Sequence, residues 1–304
     1  MHVTIISRSG LKYINEKIQE FKGFLSYIWN MSKNLDELGL KSIVSEYDLF
    51  FIDIWGVVHN GIKLYENAIK ALEELSNKEK KFILLTNAPR PNLTVINTLK
   101  KMGLNNFSET VFTSGEASKR YLLENFNNKK FFHLGPPRDF DLFKTFENNK
   151  VLNIDDSDYL LCSGLFEEHE DDLGYYKTLL SKHTTKKMIC TNPDLIVDRG
   201  DKREYCAGSI AKSFEEINGE VIYFGKPYPP VYEIAADINN KKILCIGDNL
   251  NTDIRGANIQ NFDSLLITGG IHRQEISKLS IENVLKNYDA NINYFQKELK
   301  WWIN

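Results

Sequence analysis

Short apolar runs alternate with amphipathic segments from Tyr47 onward, a pattern that predicts βαβ units wound into a parallel sheet. Strands are expected over Leu49–Asp53 and Phe82–Thr86, joined by a helix carrying Tyr65, Ala68, Leu72 and Leu75 on one face. A second helix should run from Leu93 to Met102 and stop near Gly103, where a left-handed cap costs little. Thr110–Thr113 and Ala117–Phe126 continue the series as strand and helix. The polar break Asn127-Asn128-Lys129-Lys130 interrupts it. A less regular set follows, with strands at Phe131–Leu134, Tyr159–Cys162 and Met188–Thr191 and a helix around Ala207–Ile217. The first series then resumes in Val221–Gly225, Ile243–Gly247 and Ser264–Thr268, each run leading into a turn with Gly or Asp.

The expected architecture is α/β: a Rossmann-like parallel sheet core with helices on both faces, interrupted by an inserted α/β cap domain. Its divisions are an N-terminal helical extension (1–46), the first part of the core (47–127), the inserted cap (128–220), and the second part of the core with a tail (221–304). In the extension, Leu11, Ile14, Ile18, Phe21, Leu25 and Ile28 form one helical stripe. The main body, a second copy in a homo-oligomer, and a membrane surface are its three candidate partners. The tail holds Phe295, Leu299, Trp301 and Trp302, an apolar set expected to dock on the core.

Composition narrows the function classes. With 304 residues there is room for two domains, and 42% hydrophobic against 26% charged residues is the balance of a globular protein. A formal net charge of −3 gives no electrostatic reason to expect nucleic acid as a partner. No run approaches the ~20 apolar residues of a transmembrane helix. Cys162, Cys190, Cys206 and Cys245 are widely spaced without a C-x-x-C pair, so they are read as reduced thiols in a cytoplasmic protein. The acidic run Glu167-Glu168-His169-Glu170-Asp171-Asp172 is read as a solvated face, because consecutive residues cannot all turn toward one ion.

The chemistry concentrates at strand ends. Asp53 follows the first run and Thr86 the second, Lys226 sits in Phe224-Gly225-Lys226-Pro227, and Asp248 and Asp253 share the turn after Ile243–Gly247. An acid, a hydroxyl, a lysine and an acid pair on one sheet edge are what phosphoryl transfer to a carboxylate requires. The nucleophile must approach an anion, so Mg²⁺ on carboxylate oxygens and a lysine ammonium offset the repulsion, while a hydroxyl fixes a phosphoryl oxygen. His59, in the loop after Asp53, is either a proton donor or an ordinary exposed loop histidine. Arg199, Arg203 and Tyr205 are either substrate contacts from the insert or solvated surface.

Ile52-Asp53-Ile54-Trp55-Gly56-Val57, Leu84-Leu85-Thr86-Asn87, Gly225-Lys226-Pro227, and Gly247-Asp248 followed by Asp253 together resemble the four motifs of the haloacid dehalogenase (HAD) superfamily, in its class IIA or NagD-like branch. The resemblance covers roughly residues 47–270, with Thr191-Asn192-Pro193-Asp194-Leu195 similar to that branch's cap. It implies a phosphohydrolase acting on a small phosphorylated metabolite through an aspartyl-phosphate. Asp53 is then nucleophile and Mg²⁺ ligand, Thr86 the phosphoryl contact, and Lys226 the charge steadying the intermediate. Asp248, Asp253 and the backbone carbonyl of Trp55 complete the metal set, and Asn87 and Trp55 are the expected substrate contacts.

Phosphatases of the family carry a second Asp two residues after the nucleophile, and here that position is Trp55. Indole has an N–H but no acidic proton, so the leaving oxygen loses its usual donor. General acid–base help is worth ~10²–10⁴ in rate, and its loss implies a slow or specialised enzyme. The alternative reading is a phosphoryl-ligand binding protein with a decayed site.

Overall fold

A computed structural model describes residues 32–199 and 202–302. The helical stripe from Leu11 to Ile28 lies outside them. In chain order the strands are β1 (Lys33–Asn34), β2 (Leu49–Ile52), β3 (Lys81–Thr86), β4 (Val111–Thr113), β5 (Phe131–Leu134), β6 (Lys150–Val151), β7 (Tyr159–Cys162), β8 (Lys187–Cys190), β9 (Ile196–Arg199), β10 (Lys202–Tyr205), β11 (Glu220–Tyr223), β12 (Ile243–Gly247), β13 (Asp263–Ile267) and β14 (Tyr294–Gln296). The α-helices are α1 (Glu66–Asn77), α2 (Asn92–Lys101), α3 (Ser114–Asn125), α4 (Leu173–Leu180), α5 (Ala207–Glu215), α6 (Pro230–Ala235), α7 (Arg255–Gln260), α8 (Arg273–Lys278) and α9 (Ile281–Asn287).

Seven strands form one parallel sheet in the order β1-β14-β13-β12-β2-β3-β4. β2 is buried on both faces, which explains its continuous apolar run. Phe50 and Ile52 enter the core under α1, where Ala68, Ala71, Leu72 and Leu75 are all buried. Leu49 and Phe51 point the other way, among Leu122 of α3 and Val231 and Tyr232 of α6. α3 starts where Thr113 accepts the Glu116 N–H at 2.9 Å, satisfying an otherwise orphaned donor.

A second parallel sheet, β11-β8-β7-β5-β6, is built almost wholly from the insert. One face packs with Phe51 and Leu85 of the first sheet, and the other is covered by α4 and α5. The hairpin β9-β10 stands apart as an antiparallel pair. Asp172, last of the acidic run, caps α4 by accepting the Tyr175 N–H at 3.0 Å.

Two placements differ from the sequence reading. The run Val221–Gly225 was expected in the core, yet β11 pairs with β8 and completes the second sheet, because helix α5 returns the chain directly beside β8. Residues 33–46, read with the helical extension, belong to the core instead: β1 pairs with β14, two short 3₁₀ turns follow at Leu40–Ser42 and Val44–Glu46, and Leu35, Leu40, Ile43 and Val44 are buried in the main core. The tail docks through Leu299 and Trp301, both buried, and β14 is inserted between β13 and β1; Trp302, expected in the same set, is instead exposed.

Phe50 is fully buried on the interior strand β2 and edge-on to Tyr47. Phe50→Ala is expected to cost about 3–5 kcal/mol of stability. The midpoint of denaturant unfolding measures it, and a loss under about 1 kcal/mol would contradict the packing described.

Candidate active site

β2 and β12 are neighbours, but the chain leaves them in opposite directions along the sheet, through β3 on one side and β13 on the other. A crevice opens at the carboxyl ends of strands where connections diverge in this way. Asp53 sits one residue beyond β2, its N–H donated to the Ile246 carbonyl at 2.8 Å, and Asp248 follows β12. Asp253 lies in the wide helical turn Leu250–Ile254, and its Oδ2 accepts the Asn249 N–H at 3.1 Å.

Lys226 joins these groups. Its ammonium donates to Asp53 Oδ1 at 2.5 Å, to Asp253 Oδ1 at 2.6 Å and to the Leu85 carbonyl at 3.0 Å. Asn87 fixes the lysine backbone from both sides: Oδ1 accepts its N–H at 2.7 Å and Nδ2 donates to its carbonyl at 2.9 Å. Thr86 Oγ1 accepts the Ala88 N–H at 3.2 Å.

Small residues make room for the carboxylates. A Cβ on Gly247 would overlap the Asp253 carboxylate, and one on Gly56 would overlap that of Asp248. Gly56 also has φ +86°, a conformation that side chains strain to adopt. Asp248 Oδ2 is oriented by the Ile271 N–H at 2.8 Å.

Oxygens of Asp53, Asp248 and Asp253 lie within 4.8 Å of one another, all three residues being buried. Burial pushes the Asp53 carboxyl up to about 8 against the pull of Lys226. Burial and the neighbouring Asp53 and Asp253 drive Asp248 well above the usual range. For Lys226 burial opposes charge, but Asp253 and Asp53 outweigh it and hold the ammonium protonated. Ionising all three carboxyls around a single ammonium would leave excess negative charge, which is why burial favours their protonated forms, and an all-oxygen donor set suits a hard divalent cation that would offset it.

Asp53, Trp55, Thr86, Asn87, Lys226, Asp248 and Asp253 all line one cavity of about 380 Å³. His59 is buried rather than exposed, with its Nδ1 accepting the Gly61 N–H at 2.8 Å and burial lowering its pKa to about 4, so it stays neutral. Arg203 pairs with Asp198 at 2.9 Å, and Tyr205 is largely exposed at the edge of a second cavity; the Arg199 side chain lies outside the description.

The Trp55 indole leans edge-on against His59 and donates from Nε1 to the Asp198 carbonyl of β9 at 2.6 Å. The Asp198 carboxylate in turn meets Arg273 of α8 at 2.8 Å. Asp194 also enters the cavity, its Oδ1 accepting from Asn87 Nδ2 at 3.2 Å. Sequence reasoning quoted the Asp194 segment without giving Asp194 a role, and it missed Asp198 and Arg273. The strand-end rule that found the other acids gives no signal for residues brought in by the insert.

Residues 50–147 match a model of haloacid dehalogenase-like hydrolases, and residues 223–288 match a second HAD-hydrolase-like model. A crystal structure of a haloacid dehalogenase-like hydrolase from Brucella suis 1330 is 31% identical, covering 77% of this chain and 93% of that one with a TM-score of 0.71. The chain belongs to the HAD hydrolases, in their class IIA, NagD-like branch. Phosphoglycolate phosphatase 1A of Arabidopsis thaliana is 26% identical over 79% of this chain and 72% of its own length. The 4-nitrophenylphosphatase of Schizosaccharomyces pombe is 25% identical over 77% and 88%. These relatives are phosphatases, and the chain is an enzyme of the HAD phosphatase type.

Removing the ammonium strands its buried carboxylate partners. Lys226→Ala is expected to lower stability by about 3–5 kcal/mol in chelator. Thermal unfolding checks this, and an unchanged midpoint would sink the account of the cluster.

Proposed function

We propose that the protein is a Mg²⁺-dependent phosphohydrolase of a small phosphorylated metabolite, working through an aspartyl-phosphate on Asp53. The observation that carries this reading is the buried cluster of Asp53, Asp248 and Asp253 around Lys226, with Thr86 and Asn87 beside it. Asp53 attacks phosphorus, Thr86 holds a phosphoryl oxygen, and Lys226 offsets the charge that builds as nucleophile and ester approach, while Asn87, whose two Nδ2 hydrogens go to the Lys226 carbonyl and to Asp194, keeps the lysine in place. Asp248, Asp253, Asp53 and the Trp55 carbonyl are the residues that would hold Mg²⁺. When bound, the ion supplies charge neutralisation, which also keeps Asp53 ionised at neutral pH.

The insert, with its sheet and the β9-β10 hairpin, acts as the cap that chooses the substrate, supported by the contact of β9 with the Trp55 indole. A cytoplasmic location is supported by four free cysteines. Among the described residues no helix is long and apolar enough to cross a membrane. Trp55, in the place of the family's acid, makes the enzyme slow or specialised, and it also favours a second reading, phosphoryl-ligand binding without turnover.

A panel of metabolite phosphates with Mg²⁺ decides between the two. Turnover of at least one ester is expected, lost in EDTA and reduced by at least about 10³-fold in Asp53→Asn. Absence of turnover across alkyl, acyl and aryl phosphates would replace the catalytic reading with the binding one. Independently of activity, Mg²⁺ should raise the thermal midpoint of the wild type and not that of Asp248→Asn.

A further inference from the structure

Two cavities meet at the Trp55 indole. The first, of about 380 Å³, holds Asp53, Lys226 and Asp248. The second, of about 370 Å³, runs between α2 and the insert and is walled by Leu99, Met102, Leu165 and Phe166. With the phosphorus of an ester on Asp53 and its organic part directed into the apolar second cavity, the bridging oxygen would lie where the two cavities share their lining. Trp55, Thr86, Asn87, Asp194 and Val197 line both cavities, and of these five only Asp194 carries an ionisable proton.

We propose that Asp194, presented by the insert, is the proton donor to the leaving oxygen, in place of the acid that Trp55 lacks. This rests on the phosphohydrolase reading above. In the first half-reaction Asp53 forms its bond to phosphorus, the bond to the bridging oxygen breaks, and that oxygen takes the Asp194 proton to leave as an alcohol. In the second, water attacks phosphorus from the vacated side and gives a proton to the Asp194 carboxylate. The bond to Asp53 then breaks, releasing phosphate and restoring both carboxyl groups.

Asp194 is held for this work. Its backbone N–H is donated to Asn192 Oδ1 at 3.0 Å within the insert, and its carboxylate is reached from the core by Asn87 Nδ2. Burial raises its pKa to about 6, Lys226 pulls it down and Asp253 pushes it up, while Asn87 and Thr252 donate to it. Asp53, Cys190 and Cys206 are the other ionisable groups that feel it. A carboxyl near 6 is suited to both giving and taking a proton close to neutrality. The competing groups are committed elsewhere. His59 is neutral behind the indole, and Asp139, in the second cavity, is paired with Arg90 at 3.3 Å and accepts from Ser163 at 2.9 Å.

Leaving-group dependence tests the assignment. With Mg²⁺ present, kcat/KM is measured for alkyl phosphates and for 4-nitrophenyl phosphate, whose leaving group departs without a proton. Asp194→Asn keeps the shape and the acceptor for Asn87. It is expected to lose on the order of 10²-fold on the alkyl esters and at least tenfold less on the aryl ester. It should also abolish the alkaline limb of the alkyl pH profile. Asp194→Glu should recover part of the alkyl rate, and Trp55→Asp should recover it in the Asp194→Asn background. Equal losses on both ester classes, or an alkaline limb that survives Asp194→Asn, overturn the assignment while leaving the phosphohydrolase standing. A wild type inert to both classes overturns the phosphohydrolase reading and this assignment with it.

Discussion

The site depends on one buried ammonium. Lys226 enters from the strand that closes the second sheet and reaches the ends of three segments of the first: Asp53 after β2, Leu85 in β3 and Asp253 after β12. Bringing charges out of water costs several kcal/mol per ion after relaxation, so they persist only where geometry and hydrogen bonds are close to ideal. The surrounding architecture meets that demand. Asn87 locks the lysine backbone, Gly247 and Gly56 leave space where a methyl would collide with a carboxylate, and the Asn249 and Ile271 amides each donate to one carboxylate oxygen, of Asp253 and Asp248. The apolar strands hold this arrangement rigid, since Asp53 and Asp248 each sit one step beyond a fully buried run.

That layout explains why so much of the site was readable in the sequence. A strand buried on both faces must be apolar throughout, so an acid or hydroxyl at its end stands out, as Asp53, Thr86 and Asp248 do. The alternation of strand and helix was readable for the same reason. What the pattern does not encode is partnership. Glu220–Tyr223 looks like any short apolar run, and only its neighbour β8 reveals which sheet it joins. β1 and β14 are too short to show a period, although together they complete the edge of the main sheet. Trp55 and Asp198 are 143 residues apart, and Asp194 comes after no core strand at all, so their meeting is a product of the insert folding back over the crevice.

Trp55 is a structural participant as well as a departure from its family. It lines both the carboxylate chamber and the cavity beneath the insert, and its N–H fastens the hairpin that forms part of the roof. With proton transfer moved from this loop to Asp194, the proposed nucleophile and the proposed donor would belong to different parts of the fold, the core and the insert. Chemistry on esters with poor leaving groups then requires the two parts to be correctly apposed, whereas an ester that leaves unaided does not.

Asp198 carries that apposition further. Its carboxylate lies between Arg203 of its own hairpin and Arg273 of the main sheet's helix, and both arginines are substantially open to solvent. Charge pairs of this kind weaken as ionic strength rises, because the screening length shrinks from ~10 Å at 0.1 M salt to ~3 Å at 1 M. The buried Lys226 cluster is far less sensitive. The molecule therefore separates its two electrostatic duties by depth: a catalytic floor insulated from the medium, and a roof fastening that the salt content of the surroundings can loosen.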